Sequence, residues 1–415
     1  MAMFENDLKD PNVGPGKTVA LGLQHTFTMF GATVLVPILT GLDISVALFM
    51  AGVGTLFFHL VTKGKIPIFL GSSFAFIAPI VSATAVFGMQ QALGGIVVAG
   101  ALYVLLAVLV YFIGAQKILS LFPPVVTGSI IMVIGLKLAP TAIDMASDNW
   151  GLALLAFAIV VVVNIFCKGF VKSLPVLISL AVSYLVAVIF TLCGVPLVDF
   201  APIKEAAWLG LPSFTLAKFD LSAILMVAPV AICTMVEHIG DVIAVGTIVD
   251  RDFIKSPGLH RTLLGDGIAT SLSAMFGGPA NTTYSENTGV LALTRAFNPT
   301  IMRIAACFAI VLGVVPKLGG LISSIPGAII GGISVVLFGM IAAVGARTLV
   351  ENKVDFQASR NLIISAVILV LGLGGAAIPI KIGANIDFAI EGMALAAIVG
   401  IILNKILPQP KKENA

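Results

Sequence analysis

The chain has 415 residues, of which 59% are hydrophobic and only 10% are charged, against about 45–50% and 25% in ordinary soluble domains. So few charges cannot form the hydrated shell that a soluble protein of this length needs, which excludes a soluble enzyme and a disordered chain. The formal net charge of +3 is too small to indicate a nucleic-acid partner. The composition therefore predicts a polytopic protein of the lipid bilayer.

Long apolar runs predict an all-α fold with fourteen membrane-spanning segments, since a spanning helix needs about 20 apolar residues. With both termini placed in the cytoplasm, eighteen of the 23 Lys and Arg residues face inward, as the positive-inside rule requires. We therefore expect a multi-pass protein of the cytoplasmic (inner or plasma) membrane. In chain order the segments lie near 18–40, 43–61, 67–88, 91–114, 118–138, 150–167, 172–194, 221–245, 261–277, 279–296, 299–317, 321–346, 361–379 and 384–406.

An internal repeat divides these segments into two halves of seven. The longest polar break, 195–220, separates the halves, and the run 122–130 in segment five resembles 325–333 in segment twelve, with Pro, Gly and Ile at the same offsets. An odd number of spans in each half gives the halves opposite orientations. Inverted repeats that hold a substrate at their interface are typical of transporters.

Two of the segments are interrupted. Residues 281–289 in segment ten include no aliphatic side chain, and the corresponding stretch 67–76 in segment three contains Gly71, Ser72 and Ser73. Such backbone cannot face lipid, because its polar groups would lack partners there. We expect a short extended stretch that leads into a helix in each segment. Broken segments at corresponding places in two halves indicate a binding site.

Carboxylates lie at bilayer depth in segments eight and ten. Glu237 and Asp241 are four residues apart and share one helix face, and Glu286 lies in the interrupted part of segment ten. A charged carboxylate at this depth costs about 2.5–3.5 kcal/mol, and burial beside like charges favours its protonated form. The three acids are candidate proton carriers; the alternative is that they cap helices or pair with local donors.

The histidines are more ambiguous. His238 points about 100° away from Glu237, so it is equally a packing or a functional residue, whereas Gln24 and His25 are predicted to hydrogen-bond to neighbouring helices behind the site. Asp266 lies between two glycines and is predicted to be structural. The four cysteines lie in apolar runs without metal-ligand spacing, so neither a metal nor a cofactor is predicted.

A family resemblance follows from these motifs. The run 286–295, an acid followed by Asn-x-Gly, four residues, Thr and a basic residue, resembles the signature of the nucleobase–ascorbate transporters, also called nucleobase:cation symporter family 2. The motifs Gln24-His25, Gly71-Ser72-Ser73-Phe74 and Glu237-His238-x-Gly240 also match, in order. The resemblance covers nearly the whole chain and is greatest to the bacterial uracil permeases.

The resemblance implies a core domain of segments 1–4 and 8–11, at residues 1–114 and 221–317. It also implies a gate domain of segments 5–7 and 12–14, at 115–220 and 318–408, with a cytoplasmic tail at 409–415. Segments three and ten would contribute two short antiparallel strands. The family forms homodimers through its gate domains, so a homodimer is expected here.

For the site, the resemblance implies that Glu237 and Glu286 hold the base, that backbone amides at Phe74 and Ser285 contribute, and that Tyr284 lies close by. Gln24, His25, His238 and Asn287 would support the site.

Two positions depart from the uracil permeases. Asp241 stands where a second histidine is common, which is more typical of the xanthine branch, whereas that branch usually has Gln at the place of Glu286. Phe338 stands where near relatives have Tyr. The predicted function is a uracil:proton symporter that works by alternating access, in which Asp241 and Glu237 carry the proton.

Other functions are weighed against this one. A xanthine or purine:cation symporter of the same family is the first alternative, and Na⁺ is an alternative coupled ion. An anion transporter of a related inverted-repeat fold fits less well, because the site has three acids and no Lys or Arg. An intramembrane enzyme is disfavoured by the absence of HExxH and Gly-x-Ser-x-Gly motifs from the sequence.

Overall fold

The computed structural model describes residues 14–169, 171–382 and 386–408. The first residues of the predicted core domain, 1–13, and the predicted tail, 409–415, lie outside the described residues. The described chain is mainly helical. Its helices are α1 (Pro15–Thr40), α2 (Ile44–Val61), α3 (Ile77–Phe87), α4 (Met89–Ile113), α5 (Ala115–Leu119), α6 (Pro124–Lys137), α7 (Ala139–Ser147), α8 (Trp150–Phe166), α9 (Pro175–Leu192), α10 (Ala201–Glu205), α11 (Leu221–Val227), α12 (Ala231–Val249), α13 (Leu259–Met275), α14 (Ser285–Thr294), α15 (Thr300–Gly313), α16 (Pro316–Ser323), α17 (Gly327–Glu351), α18 (Ser359–Leu373) and α19 (Gly392–Ile406).

Seven helical stretches among the described residues are long and apolar enough to cross a membrane, or eight if the bent pair α15–α16 forms one span. Four further apolar helices are shorter: Phe74–Phe87, Trp150–Phe166, Ser359–Leu373 and Gly392–Ile406. The seven are Pro15–Thr40, Ile44–Val61, Met89–Ile113, Pro124–Ser147, Pro175–Leu192, Leu221–Val249 and Gly327–Glu351. A multi-pass membrane protein follows from these lengths, and the count of fourteen spans stays a prediction.

Local sequence explains where several helices begin. The side chains of Asp43, Asn149 and Asp220 each accept a hydrogen bond from the backbone N–H three residues later, at 2.9–3.1 Å, which satisfies a donor that the helix itself leaves free. The repeated Pro motif has the same role in both halves. Helix α6 begins at Pro124 and α17 begins directly after Pro326, where a proline costs no helical hydrogen bond.

The interrupted segments three and ten meet as a pair of short strands. Strands β1 (Leu70–Ser72) and β2 (Asn281–Thr283) run antiparallel, with Leu70 opposite Thr283 and Ser72 opposite Asn281. All six residues are buried. Strand β1 leads into a 3₁₀ turn, Phe74–Phe76, that continues as α3, and β2 leads into α14. The strand pair therefore holds the starts of two short helices inside the protein, one at each end of the paired strands.

Two predicted boundaries are wrong. Strands β3 (Ala377–Ile382) and β4 (Ile386–Glu391) form an antiparallel hairpin, so α19 begins at Gly392 and not near 384. Pro379 supplies no N–H to a helix, and the alternating isoleucines around it favour a strand. Segment eleven, 299–317, is also not one helix: α15 and α16 are bent by 79°, at a break that ends with Pro316.

The helices pack in two groups. One contains α1, α2, α4, α13 and α15, the other contains α6, α7, α8, α17, α18 and α19, and α12 contacts members of both. Glycines permit close approach of backbones in each group. A Cβ at Gly267 of α13 would lie 2.7 Å from the carbonyl oxygen of Gly100 in α4, and one at Gly135 of α6 would overlap the backbone of α17.

Candidate functional site

Tyr284 fixes the strand pair to helix α1. Its side chain is buried, and its hydroxyl donates to the carbonyl oxygen of Ser72 at 3.1 Å and accepts from the Thr33 hydroxyl at 3.2 Å. The ring lies against Gly71, where any Cβ would overlap it. Glycine is therefore required opposite the ring, and Tyr284 lies beside the predicted site with its hydroxyl already bonded.

Asp241 links α12 to the tenth segment. Its Oδ2 accepts from the Thr283 hydroxyl at 2.5 Å and its Oδ1 accepts from the Ser285 hydroxyl at 3.0 Å. Both carboxylate oxygens of the predicted proton carrier are thus held by donors from the end of β2 and the start of α14. Sequence reasoning assigned no role to Thr283, although it lies in the polar run 281–289.

Glu237 and Glu286 lie near each other and near Asp241. Glu237 lies one turn before Asp241 on α12, and Glu286 directly follows Ser285, whose hydroxyl bonds Asp241. Both glutamates are half-buried. Within the described chain, neither glutamate accepts a hydrogen bond from another side chain. Glu286 occupies the first turn of α14, where the helix dipole stabilises negative charge. Glu237 and Glu286 therefore keep carboxylate oxygens free to accept hydrogen bonds, whereas both oxygens of Asp241 are occupied.

Phe74 supplies a buried apolar surface beyond the Ser72 end of the strand pair. It begins the 3₁₀ turn after β1, is 8% exposed, and packs edge-to-face on Phe338 of α17 with ring centroids 5.9 Å apart. The contact joins the two helix groups. The first N–H groups of a helix have no partner within the helix, so the backbone at Phe74 and Ser285 provides donors near the rings and acids.

The supporting residues connect α1 to its neighbours. The Nδ2 atom of Asn287 lies 3.1 Å from His25 Nδ1 and donates to the His25 carbonyl oxygen at 3.1 Å. Gln24 donates to the Ser173 hydroxyl at 3.3 Å. Gln24 and His25 thus bond neighbouring elements as predicted: the Asn287–His25 bonds tie α14 to α1, and the Gln24 bond ties α1 to the turn at Ser173.

His238 lies on the interior side of α12. Its Nδ1 is 3.1 Å from Oδ2 of Asp266, and both side chains are fully buried. The rings of Phe58 and Tyr103 pack against the imidazole, with centroids 6.4 and 6.2 Å away. The structure thus places His238 among packed rings beside Asp266, whereas Glu237 approaches Glu286.

A cavity of about 450 Å³ lies further along α12, beyond Asp241. It is formed between α5, the last turns of α12 and the following loop, and its polar lining includes Gln116, Thr247 and Asp250. None of the three predicted acids lines it. The sequence-predicted residues therefore gather at the strand pair and not in this cavity.

Comparison with known proteins identifies the family. A family model described as the permease family matches residues 16–381. The chain is 45% identical to the uracil permease of Bacillus subtilis (strain 168), over 97% of this chain and 95% of that protein. It is 40% identical to the uracil permease of Escherichia coli (strain K12), over 94% and 91%, and 40% identical to the putative pyrimidine permease RutG of the same strain, over 94% and 89%.

Solved structures share the fold at low sequence identity. The transmembrane domain of a cyanobacterial bicarbonate transporter, BicA, matches with a TM-score of 0.63 and 14% identity, over 94% of this chain and 96% of that one. The murine anion transporter Slc26a9 in its inward-facing state matches with a TM-score of 0.68 and 11% identity, over 96% and 69%. At these identities the likeness concerns the fold alone. The family model and the relatives cover nearly the whole chain, and so this multi-pass membrane protein belongs to the permease family, the nucleobase–ascorbate transporters that its motifs resemble.

Proposed function

We propose that the protein is a uracil:proton symporter that imports uracil across the cytoplasmic membrane by alternating access. The observation that carries the proposal is the meeting of α12 and α14 at the strand pair, where Asp241 bonds Thr283 and Ser285 and so brings Glu237 and Glu286 into one region. The relatives named uracil permease, at 40–45% identity, support this choice of substrate.

The chemistry of uracil suits these groups. The base is planar and neutral, with N–H donors and C=O acceptors on its edge. The carboxylates of Glu237 and Glu286 accept from the N–H groups, backbone N–H groups at Phe74 and Ser285 donate to the carbonyls, and the Phe74 ring packs on the face of the base. A site built from hydrogen-bonding partners rejects analogues that lack them, because its own buried groups are then left unpaired.

Proton coupling is assigned to Asp241 with Glu237. The two acids share one face of α12, and no lysine or arginine of the described chain forms an ion pair with either. A charge at bilayer depth costs about 2.5–3.5 kcal/mol on insertion scales. A proton taken up by this pair lowers that cost and permits the loaded site to move. Thr283 and Ser285 hold Asp241 in place for this exchange.

Alternating access requires two parts that move against each other. We assign the helix group that carries the strand pair to the core domain, residues 1–114 and 221–317, and the group around α17 to the gate domain, residues 115–220 and 318–408. The contact between Phe74 and Phe338 then lies between the domains. We further propose cytoplasmic termini and a homodimer formed through the gate domains, as the family resemblance implies.

An anion substrate is the alternative that the shared fold suggests, since the neighbours of known structure are bicarbonate and anion transporters. Three carboxylates without a paired lysine or arginine would repel an anion, so this alternative is disfavoured. A purine substrate is suggested by Asp241 alone. A competition assay against labelled uracil distinguishes a pyrimidine substrate from a purine substrate. The competitors are thymine, 5-fluorouracil, xanthine and hypoxanthine.

The test is uptake of labelled uracil into proteoliposomes. Uptake should increase with an inward proton gradient, and Glu237→Ala should abolish it, because the substitution removes both an acceptor for the base and a proton-binding group. Glu351→Ala is the matched control, since Glu351 is exposed at the end of α17 and pairs only with Arg347. Undiminished, gradient-dependent uptake by Glu237→Ala would exclude the proposed mechanism.

A further inference from the structure

The outer edge of strand β1 is bonded by two side chains of helix α2. Thr55 and His59 lie four residues apart, hence on one face of that helix, and both are fully buried. The Thr55 hydroxyl donates to the Leu70 carbonyl oxygen at 3.2 Å and accepts from the Leu70 N–H at 2.9 Å. His59 Nε2 lies 2.9 Å from the Ile68 carbonyl oxygen. Three backbone groups of one edge thus find partners on α2.

These partners are needed because the strand pair is buried within a membrane protein. Strand β1 pairs with β2 on one side only, and an unpaired backbone group away from water costs several kcal/mol. Since a carbonyl only accepts, His59 donates from Nε2. Strand β2 is supported differently, by the Thr270 hydroxyl, which donates to the Asn281 carbonyl oxygen at 2.9 Å. The Asn281 side chain also donates to backbone carbonyls of Met50 and Ala269, at 3.4 and 3.3 Å.

The bonded edge connects directly to the candidate site. Leu70 lies opposite Thr283 in the strand pair, and the Thr283 hydroxyl donates to Asp241. Thr55 therefore holds Leu70, Leu70 is the cross-strand neighbour of Thr283, and Thr283 in turn bonds the carboxylate of Asp241. Four residues after Leu70, beyond the end of β1, Phe74 begins the 3₁₀ turn.

We propose that Thr55 and His59 are positioning residues for transport. They fix the register and height of β1, and through it they set Thr283 against Asp241 and Phe74 against the base. Neither side chain touches the acids. The inference rests on the proposed function in so far as Asp241 and Phe74 serve uracil transport, but the hydrogen bonds that carry it can be measured without substrate.

The test compares Thr55→Val, which keeps the shape and removes the hydroxyl, with Thr55→Ser, which keeps the hydroxyl. Thr62→Val is the matched control, since Thr62 is also fully buried near the same end of α2 but bonds only the Phe58 carbonyl oxygen of its own helix. His59→Leu and His59→Gln form a second pair, in which Gln can still donate to Ile68. Each variant is reconstituted as the full chain, and uracil uptake and amide hydrogen exchange of the peptide around Leu70 are measured.

We expect Thr55→Val to raise the KM for uracil about tenfold, because both hydrogen bonds between the hydroxyl and Leu70 are lost, and to speed exchange at Leu70. Thr55→Ser should stay within about twofold of the wild type in both readouts, and Thr62→Val should match the wild type. His59→Gln should exceed His59→Leu in uptake. Unchanged exchange in Thr55→Val, or a Thr55→Ser variant as impaired as Thr55→Val, overturns the proposal.

The two proposals fail separately. If wild-type proteoliposomes take up no uracil while Thr55→Val still speeds exchange at Leu70, the assigned substrate is wrong and the hydrogen-bonded support of β1 stands. If the wild type transports uracil and Thr55→Val has normal KM despite faster exchange, the support is structural only and the positioning role is wrong.

Discussion

The two interrupted segments share one design and differ in chemistry. In each, a three-residue strand is followed, after one residue, by the start of a short helix: Phe74 after β1 and Ser285 after β2. The first helix start presents aromatic and aliphatic side chains, whereas the second presents Ser285, Glu286 and Asn287. One half of the repeat thus supplies an apolar wall and the other supplies acceptors, which is what a flat, polar-edged base requires.

The helix dipole makes this difference consequential. Both helix N-termini carry partial positive charge, but only α14 places an acid, Glu286, in its first turn. The other N-terminus keeps its backbone donors available beside Phe74. Substitutions at these positions test whether Glu286 accepts hydrogen bonds from the base and whether Phe74 packs on it.

The largest effect is expected at the start of α14, where Glu286 lies. Glu286→Gln keeps the side-chain shape but removes the charge, so that the N–H of the base bonds a neutral amide oxygen in place of a carboxylate. Hydrogen bonds to charged groups contribute about 1.5–3 kcal/mol, so the KM for uracil should rise by about a hundredfold. Uptake kinetics in proteoliposomes measure this, with Glu351→Gln on the surface as control. A wild-type KM in Glu286→Gln would show that the carboxylate of Glu286 does not accept a hydrogen bond from uracil.

The second-largest effect is expected at the contact between Gly71 of β1 and the ring of Tyr284. Gly71→Ala introduces a Cβ that overlaps the Tyr284 ring, so either the strand pair opens or the ring moves and loses its bonds to Thr33 and Ser72. Overpacking of this kind costs about 1–3 kcal/mol, and we expect a lower Tm in detergent and uptake reduced at least tenfold.

Gly16→Ala is the control for Gly71→Ala, since nothing lies within 4 Å of a Cβ at Gly16. Its Tm should equal that of the wild type. A Gly71→Ala variant with normal Tm and normal uptake would mean that the ring and the strand are not packed as described.

Much of this site was predictable from local patterns. A run of nine residues without aliphatic side chains has no place in lipid, so residues 281–289 had to lie inside the protein, and acids at helical spacing had to share a face. The family resemblance then assigned Glu237, Glu286 and Phe74 to the site. The structure places Phe74 and Glu286 just beyond the two strands of the pair, where the interrupted segments meet, and their role in binding stays a prediction.

The remainder depends on tertiary partners that no local pattern specifies. Thr283 bonds Asp241 across 42 residues, and Thr55 bonds Leu70 because α2 packs on the strand edge. The spacing of Thr55 and His59, two polar residues four apart on the apolar helix α2, indicated that both side chains bond a neighbouring element. The sequence did not indicate that this element is strand β1. The hairpin β3–β4 was missed because its isoleucine content resembles that of a spanning helix.

The smallest effect is expected where α17 touches Phe74. Phe338 packs edge-to-face on Phe74 and is 2% exposed, at the place where the family resemblance implies a tyrosine. Phe338→Tyr adds one hydroxyl, and a single neutral hydrogen bond to the base contributes about 0.5–1.5 kcal/mol. The KM for uracil should therefore fall about threefold with Vmax unchanged. Phe214→Tyr, on the polar break between the two halves of the chain, should leave KM as it is. A KM that rises in Phe338→Tyr would mean that the new hydroxyl is buried without a partner, and hence that Phe338 packs on Phe74 without reaching the base.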